Sequence, residues 1–176
     1  MRYRRTNIAG GTYFFTVNLV DRSSSLLVER FPDLRASYNA VKDAHPFATL
    51  AWVVLPDHLH VVWRLPEGDA DFPTRWTLIK AGFSRRIPRT ERIRDSRRRK
   101  GERGIWQRRY WEHLIREEDD LRRHVDYIHF NPVKHGYVKR VRDWPYSSFH
   151  HFVRRGWLPI DWCDEPDDDG GDFGER

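Results

Sequence analysis

A single cysteine, Cys163, in 176 residues excludes an internal disulfide and any cysteine-based zinc cluster. No apolar run approaches the roughly 18 residues that a membrane-spanning helix needs. Nor does an apolar stretch follow Met1-Arg2-Tyr3-Arg4-Arg5, so no signal peptide is expected and the chain is predicted to be cytoplasmic. No internal repeat is visible.

Aromatic residues, by contrast, are abundant: 8 Trp, 7 Tyr and 10 Phe supply enough apolar surface for a compact core despite 33% charged residues. The net charge of +6 hides an asymmetry. Residues 161–176 hold eight acids against one base, a charge of −7, leaving residues 1–160 with 31 bases against 18 acids, or +13. The division predicts a single domain over 1–160 and an acidic C-terminal tail over 161–176. A body so basic suits a polyanion, with nucleic acid the first candidate; a merely solvated basic surface is the other reading.

Gly10-Gly11 and then Thr12 to Val20 read as a turn and an aromatic, β-branched strand. From Pro32 to about Ala44, Leu34, Tyr38 and Val41 recur with helical spacing. Phe47–Leu55 and Leu59–Leu65 read as strands separated by Pro56-Asp57, and a helix is predicted from Trp76 to Ile87. The segment from Arg85 to Arg109 carries twelve bases and three acids with no apolar stripe, and reads as a loop. A helix follows from about Glu118 to Phe130, which Pro132 and Gly136 should stop. This order predicts an α+β fold, a ferredoxin-like antiparallel sheet with helices packed on one face.

Two short motifs carry chemistry. In Asp57-His58-Leu59-His60-Val61-Val62-Trp63, strand alternation turns His58 and His60 to one face and Leu59 and Val61 to the other. Imidazoles at i and i+2 can share a metal ion, and a mid-sheet pair needs partners because unpaired polar groups are costly to bury. In Asp126-Tyr127-Ile128-His129-Phe130-Asn131-Pro132, Leu121, Val125 and Ile128 form the core stripe, while Tyr127 lies roughly 120° away with His124 and Asn131 on its side. Tyr127 is thus either a nucleophile or a tyrosine covering the helix flank. Asn131 is either a metal ligand or a residue that ends the helix before proline.

Read in order, Gly10–Leu19, Trp52–His60, Ile105–His113 and Asp126–Gly136 closely resemble the REP-associated tyrosine transposases, single-tyrosine members of the HUH (His, hydrophobe, His) nuclease superfamily. The resemblance spans about residues 2–160. It implies a ferredoxin-like fold, two histidines on the central sheet and a catalytic tyrosine, Tyr127, on a late helix. Related single-tyrosine transposases take their third metal ligand from a glutamine four residues after the tyrosine, a place that Asn131 holds here, one methylene shorter. The implied reaction uses Mg²⁺ or Mn²⁺ on His58, His60 and Asn131. Tyr127 attacks a DNA phosphate to give a 5′-phosphotyrosine and a free 3′-OH, and the reverse attack rejoins strands. A free phenol titrates near about 10, so a metal or nearby cation must favour its phenolate. Tyr110 is a rival nucleophile, but Leu114 stands where its carboxamide partner would be.

The implied substrate is single-stranded DNA carrying REP-type palindromes folded as hairpins. Arg4, Arg5, Arg75, Lys80, Arg85, Arg86, Arg108, Arg109 and Lys134 are candidate phosphate contacts. Trp76, Tyr110 and Trp111 are candidate base-stacking residues. The expected location is cytoplasmic and nucleoid-associated, as a monomer or a homodimer. A non-catalytic binder of structured DNA or RNA is the alternative reading, with less use for His58, His60, Tyr127 and Asn131 together. A tail at −7 tethered to a body at +13 suggests either autoinhibition by competition with DNA or a solubilising tail.

Overall fold

The structure, a computed structural model, describes residues 7–89, 95, 99, 101 and 103–163. Arg4, Arg5 and nearly all of the acidic tail lie outside the described residues. Four strands, β1 (Thr12–Asn18), β2 (Ala48–Val54), β3 (His58–Arg64) and β4 (Trp111–Ile115), form one antiparallel sheet in the order β2-β3-β1-β4. The helices are α1 (Leu26–Glu29), α2 (Phe31–Ala44), α3 (Phe72–Arg86), α4 (Glu118–Lys134) and α5 (Phe149–Arg154), with a 3₁₀ turn at Val141–Asp143. Strand, helix, strand, strand, helix, strand in this spatial order is the ferredoxin-like arrangement. Strand β4 and helix α5 lie in stretches where the sequence predicted neither.

Both central strands are buried on both faces, from Tyr13 to Asn18 in β1 and from His58 to Trp63 in β3. Two-sided burial requires covering layers on both sides, so the expectation of helices on one face needs correction. Helices α2 and α3 cover one face with Leu34, Val41, Phe72, Trp76, Ile79 and Phe83 against Tyr13, Phe15, Val61 and Trp63. Gly82 allows their close approach, since a Cβ there would run into the Ser37 hydroxyl, which donates instead to the Ile79 carbonyl at 2.8 Å. The other face carries Phe14, Ala51, Val53 and Val62, and α4 covers it with Ile128 and the half-buried Leu121 and Val125. That is the stripe the sequence predicted.

Helix α4 also runs further than expected. Glu118, Asp119 and Asp120 sit at its positive N-terminal end and Lys134 in its last turn, matching the helix dipole. Pro132 lies inside the helix rather than stopping it. Near a C-terminus its missing N–H removes only one bond, to the carbonyl of Ile128. Gly136, at φ +72°, ends the helix: Tyr137 N–H donates to the Pro132 carbonyl and Gly136 N–H to that of Val133, the paired bonds of a Schellman cap. Asn131 is therefore not a helix-ending residue, and its carbonyl accepts the His135 N–H at 3.0 Å.

On the outer side of α4, His129 is fully buried against Phe149 and Phe152, with Nε2 2.9 Å from Ser148 Oγ. Burial pushes its imidazole down to about 3. Below about 6.5 the unfolded chain takes up a proton that the folded chain refuses, so stability falls with pH by about 1.4 kcal/mol per unit from this residue. Urea midpoints between about pH 7 and pH 5 are expected to fall less steeply in His129→Gln than in the unsubstituted protein. Equal slopes would place the acid sensitivity elsewhere.

Candidate active site

The His58–His60 pair is placed by the turn that precedes it. Leu55 N–H donates to the His58 carbonyl at 2.8 Å, closing a two-residue hairpin over Pro56-Asp57. This turn is held from outside by Leu19 N–H to the Asp57 carbonyl and Leu27 N–H to that of Pro56. Strand β3 then starts with His58 on the α4 side, and register sets Asn18 opposite His58 and Thr16 opposite His60. The two imidazoles are 1% and 0% exposed, with ring centroids 4.9 Å apart.

Each ring is held through Nδ1. His58 Nδ1 lies 2.8 Å from Asp57 Oδ1, and Asp57 Oδ2 meets Arg22 Nε at 2.7 Å. Burial raises the Asp57 carboxyl, but the His58 hydrogen bond and the His58 and Arg22 charges outweigh it and keep the group below its usual value. Asp57 is thus an anion that accepts from Nδ1–H, and this tautomer leaves the His58 lone pair on Nε2. His60 Nδ1 lies 2.8 Å from Thr16 Oγ1, an arrangement that equally suits a lone pair on Nε2. Carboxylate or hydroxyl behind an imidazole is the usual second layer of a metal site, so the donor set fits a divalent ion.

Helix α4 brings Tyr127 to this pair. Its ring centroid is 5.3 Å from that of His60 and 6.2 Å from that of Phe14. Lys134, two helical turns on, places Nζ 3.3 Å from the Tyr127 hydroxyl and 4.7 Å from the ring centroid. Asn131 is completely buried one turn beyond Tyr127, and the exposed His135 sets its ring 5.4 Å from that of His58.

Tyr110 belongs to the other side of the sheet. Its half-buried ring packs with Phe15, Phe72 and Trp76, and Lys80 Nζ lies 5.1 Å above it while donating to the Gln107 carbonyl. Two other sequence candidates are interior residues. Arg75 is 4% exposed; it forks onto Asp69 and donates to the carbonyls of His45, Pro46 and Asp71. Trp76 is 1% exposed and stacks on Trp63 at 4.3 Å, with no face open to a base. Helical burial, not charge or ring chemistry, decides both. Arg85, Arg86, Arg108, Arg109, Trp111 and Lys134 are exposed.

Sequence reasoning gave Asp57, Arg22 and Thr16 no role. The Asp-His adjacency was a readable signal for the first, whereas Arg22 and Thr16 reach the site only through the loop path and the β1–β3 register.

A ferredoxin-like sheet with a buried His-x-His pair facing a helical tyrosine defines an HUH-type protein of the single-tyrosine class. No family model matches the chain. The REP-associated tyrosine transposase of Escherichia coli K12 is 51% identical over 166 residues, covering 94% of this chain and 93% of that protein. A Haemophilus influenzae protein described as a putative REP-associated tyrosine transposase is 48% identical, with 94% of each covered. A solved REP-associated tyrosine transposase bound to a REP hairpin superposes with a TM-score of 0.82 at 50% identity, covering 98% of this chain and 97% of that one. The chain belongs to the REP-associated tyrosine transposases, and is accordingly an enzyme of the transposase type.

Trp76→Ala is expected to cost about 3–5 kcal/mol of stability, as removal of a fully buried indole does. A loss below about 1 kcal/mol in urea titrations would contradict the interior assignment.

Proposed function

We propose that this transposase cuts and rejoins single-stranded DNA next to REP-type hairpins, with Tyr127 as nucleophile and a divalent ion, Mg²⁺ or Mn²⁺, held by His58, His60 and Asn131. The observation that carries the reading is the approach of the Tyr127 ring to the buried His58–His60 pair. When bound, the ion polarises the scissile phosphate. The chain's own residues do the rest. Asp57 and Thr16 hold the imidazoles in orientation. Lys134 lies against the Tyr127 hydroxyl, which makes the in-line attack on phosphorus. The new Tyr127 Oη–P bond forms as the P–O3′ bond breaks, giving a 5′-phosphotyrosine and a free 3′-OH. The bond energy stays stored, so a 3′-OH rejoins strands by the reverse step without another cofactor.

The exposed Arg85, Arg86, Arg108, Arg109 and Lys134 suit phosphate contacts, and Trp111, 40% exposed, suits stacking on an unpaired base. The hairpin in the solved relative supports this class of substrate. No helix among the described residues is long and apolar enough to cross a membrane.

Labelled single-stranded oligonucleotides carrying a REP hairpin from the source genome test the reading. With Mg²⁺ or Mn²⁺ a covalent protein–DNA band is expected on a denaturing gel. The band should vanish with EDTA and in Tyr127→Phe, and persist in Tyr110→Phe. Tight hairpin binding with no adduct under either metal would instead establish a recognition protein.

A second experiment isolates the orienting carboxylate. Asp57→Asn is expected to weaken Mn²⁺ binding by about 10–100-fold in calorimetry. Unchanged affinity would remove Asp57 from the site.

A further inference from the structure

We propose that His113, Asp120 and His124 form a second metal site, of the Zn²⁺ class, where β4 meets the first turns of α4. Strand register sets His113 opposite Phe14, which turns it to the α4 side of the sheet. Asp120 and His124 stand four residues apart on one helical face. The three ligand atoms all lie within 4.8 Å of one another. His113 Nε2 is 2.8 Å from Asp120 Oδ2, and His124 Nδ1 is 3.1 Å from Asp120 Oδ1. Ligands around a tetrahedral zinc ion stand about 3.3 Å apart, so small side-chain rotations convert this cluster into a three-ligand site.

Without an ion, hydrogen bonds hold the cluster, His113 Nε2 to Asp120 Oδ2 and His124 Nδ1 to the Asp120 carbonyl, and a divalent ion would take their place. The imidazoles of His113 and His124 are stacked at 4.7 Å and 14°, both directed at one carboxylate. Protonating both would set two like charges face to face. A dication with two neutral imidazoles and one carboxylate removes that conflict and leaves a net charge of about +1. His124 is 10% exposed, so its imidazole faces the cluster rather than solvent. His113 is 40% exposed, so one side opens to solvent, giving the ion an entry path and a water as fourth ligand. Asp120 also lies 3.7 Å from Arg123 Nη2 and 3.4 Å from the Arg116 N–H, and His124 Nδ1 lies 2.8 Å from the Asp120 carbonyl. All are local to the helix start, and for Nδ1 of His124 to ligate an ion the proton it donates to the Asp120 carbonyl must be given up.

This site is independent of the His58–His60 pair. Phe14 separates them, its ring 4.7 Å from that of His124 and 5.5 Å from that of His60. An ion here ties the edge strand to the helix that carries Tyr127 three residues after His124.

The test uses the full chain bearing His58→Ala and His60→Ala, which removes the first site. Titration with Co²⁺, read by visible absorption, is expected to show one equivalent bound. Zn²⁺ at about 100-fold above its Kd is expected to raise Tm by about 5–10 °C. Adding His113→Ala should abolish both signals. This half-exposed position tolerates truncation, and circular dichroism confirms the fold. His113→Cys should restore binding with a new thiolate-to-cobalt absorption band. Absence of Co²⁺ binding in the folded double variant, or binding that His113→Ala leaves unchanged, overturns the proposal and leaves a hydrogen-bonded clamp. Loss of the DNA adduct in the unsubstituted protein bears only on the first site.

Discussion

The constraint on which the structure turns is two imidazoles on a strand that is buried on both faces. His58 and His60 are almost wholly inaccessible, and a polar group in that position needs partners or costs several kcal/mol. Sheet register delivers one partner, Thr16, directly across the ladder; the hairpin turn delivers the other, Asp57, from the residue just before the strand. A buried carboxylate creates the same problem one layer further out, and Arg22 answers it from the solvent side. The chain from Arg22 through Asp57 to His58 runs from surface to site. At each step it leaves the charge best balanced where the imidazole nitrogens turn towards α4.

The sheet's two faces divide the labour. Towards α2 and α3 the central strands present a mainly aromatic, tightly stacked layer, with Trp63 and Trp76 parallel and Phe15 and Phe72 around them. That side holds the strands rigidly in register. Towards α4 the same strands present Phe14, Thr16, Asn18, His58, His60 and Val62, and the helix adds Tyr127, His124 and Asn131. Polar groups can be concentrated on this second face because the first supplies most of the large apolar contacts. Phe14 sits between the two clusters of histidines and touches Tyr127 as well, so an apolar ring sets the spacing of the polar groups around it.

Legibility in the sequence followed the range of the interactions. Strands β1, β2 and β3 and helices α2 and α3 were readable because their apolar residues repeat with a short period. The core stripe of α4 was readable for the same reason. Strand β4 was not: Trp111-Glu112-His113-Leu114-Ile115 is short, follows a highly basic stretch, and becomes a strand only by pairing with β1. Pro132 misled because its cost depends on how near the helix end it lies, and Gly136 decided that end. Charge misled too. Arg75 is basic in sequence yet spends its guanidinium on Asp69 and three backbone carbonyls, a demand set by where α3 packs and invisible in composition. The histidine pair and Tyr127 were visible as motifs, but their meeting across the sheet is a tertiary fact.

Tyr110 shows why such a meeting carries more weight than residue type. Both tyrosines are half-buried, both lie near a lysine, and both have aromatic neighbours. What separates them is parity. Phe15 and Thr16 are consecutive in β1, so their side chains leave opposite faces of the sheet; Tyr110 packs beside Phe15, whereas Thr16 holds His60, whose ring meets Tyr127. For Tyr110 to reach the imidazoles the chain would have to pass through a layer filled by Phe15, Phe72 and Trp76. A one-residue slip of β1 against β3 would turn Thr16 away from His60 and drive Phe15 out of the apolar layer, so the core holds the register that places Thr16 behind His60. The stacked aromatic core therefore fixes which tyrosine faces the histidines, although none of its members takes part in the chemistry.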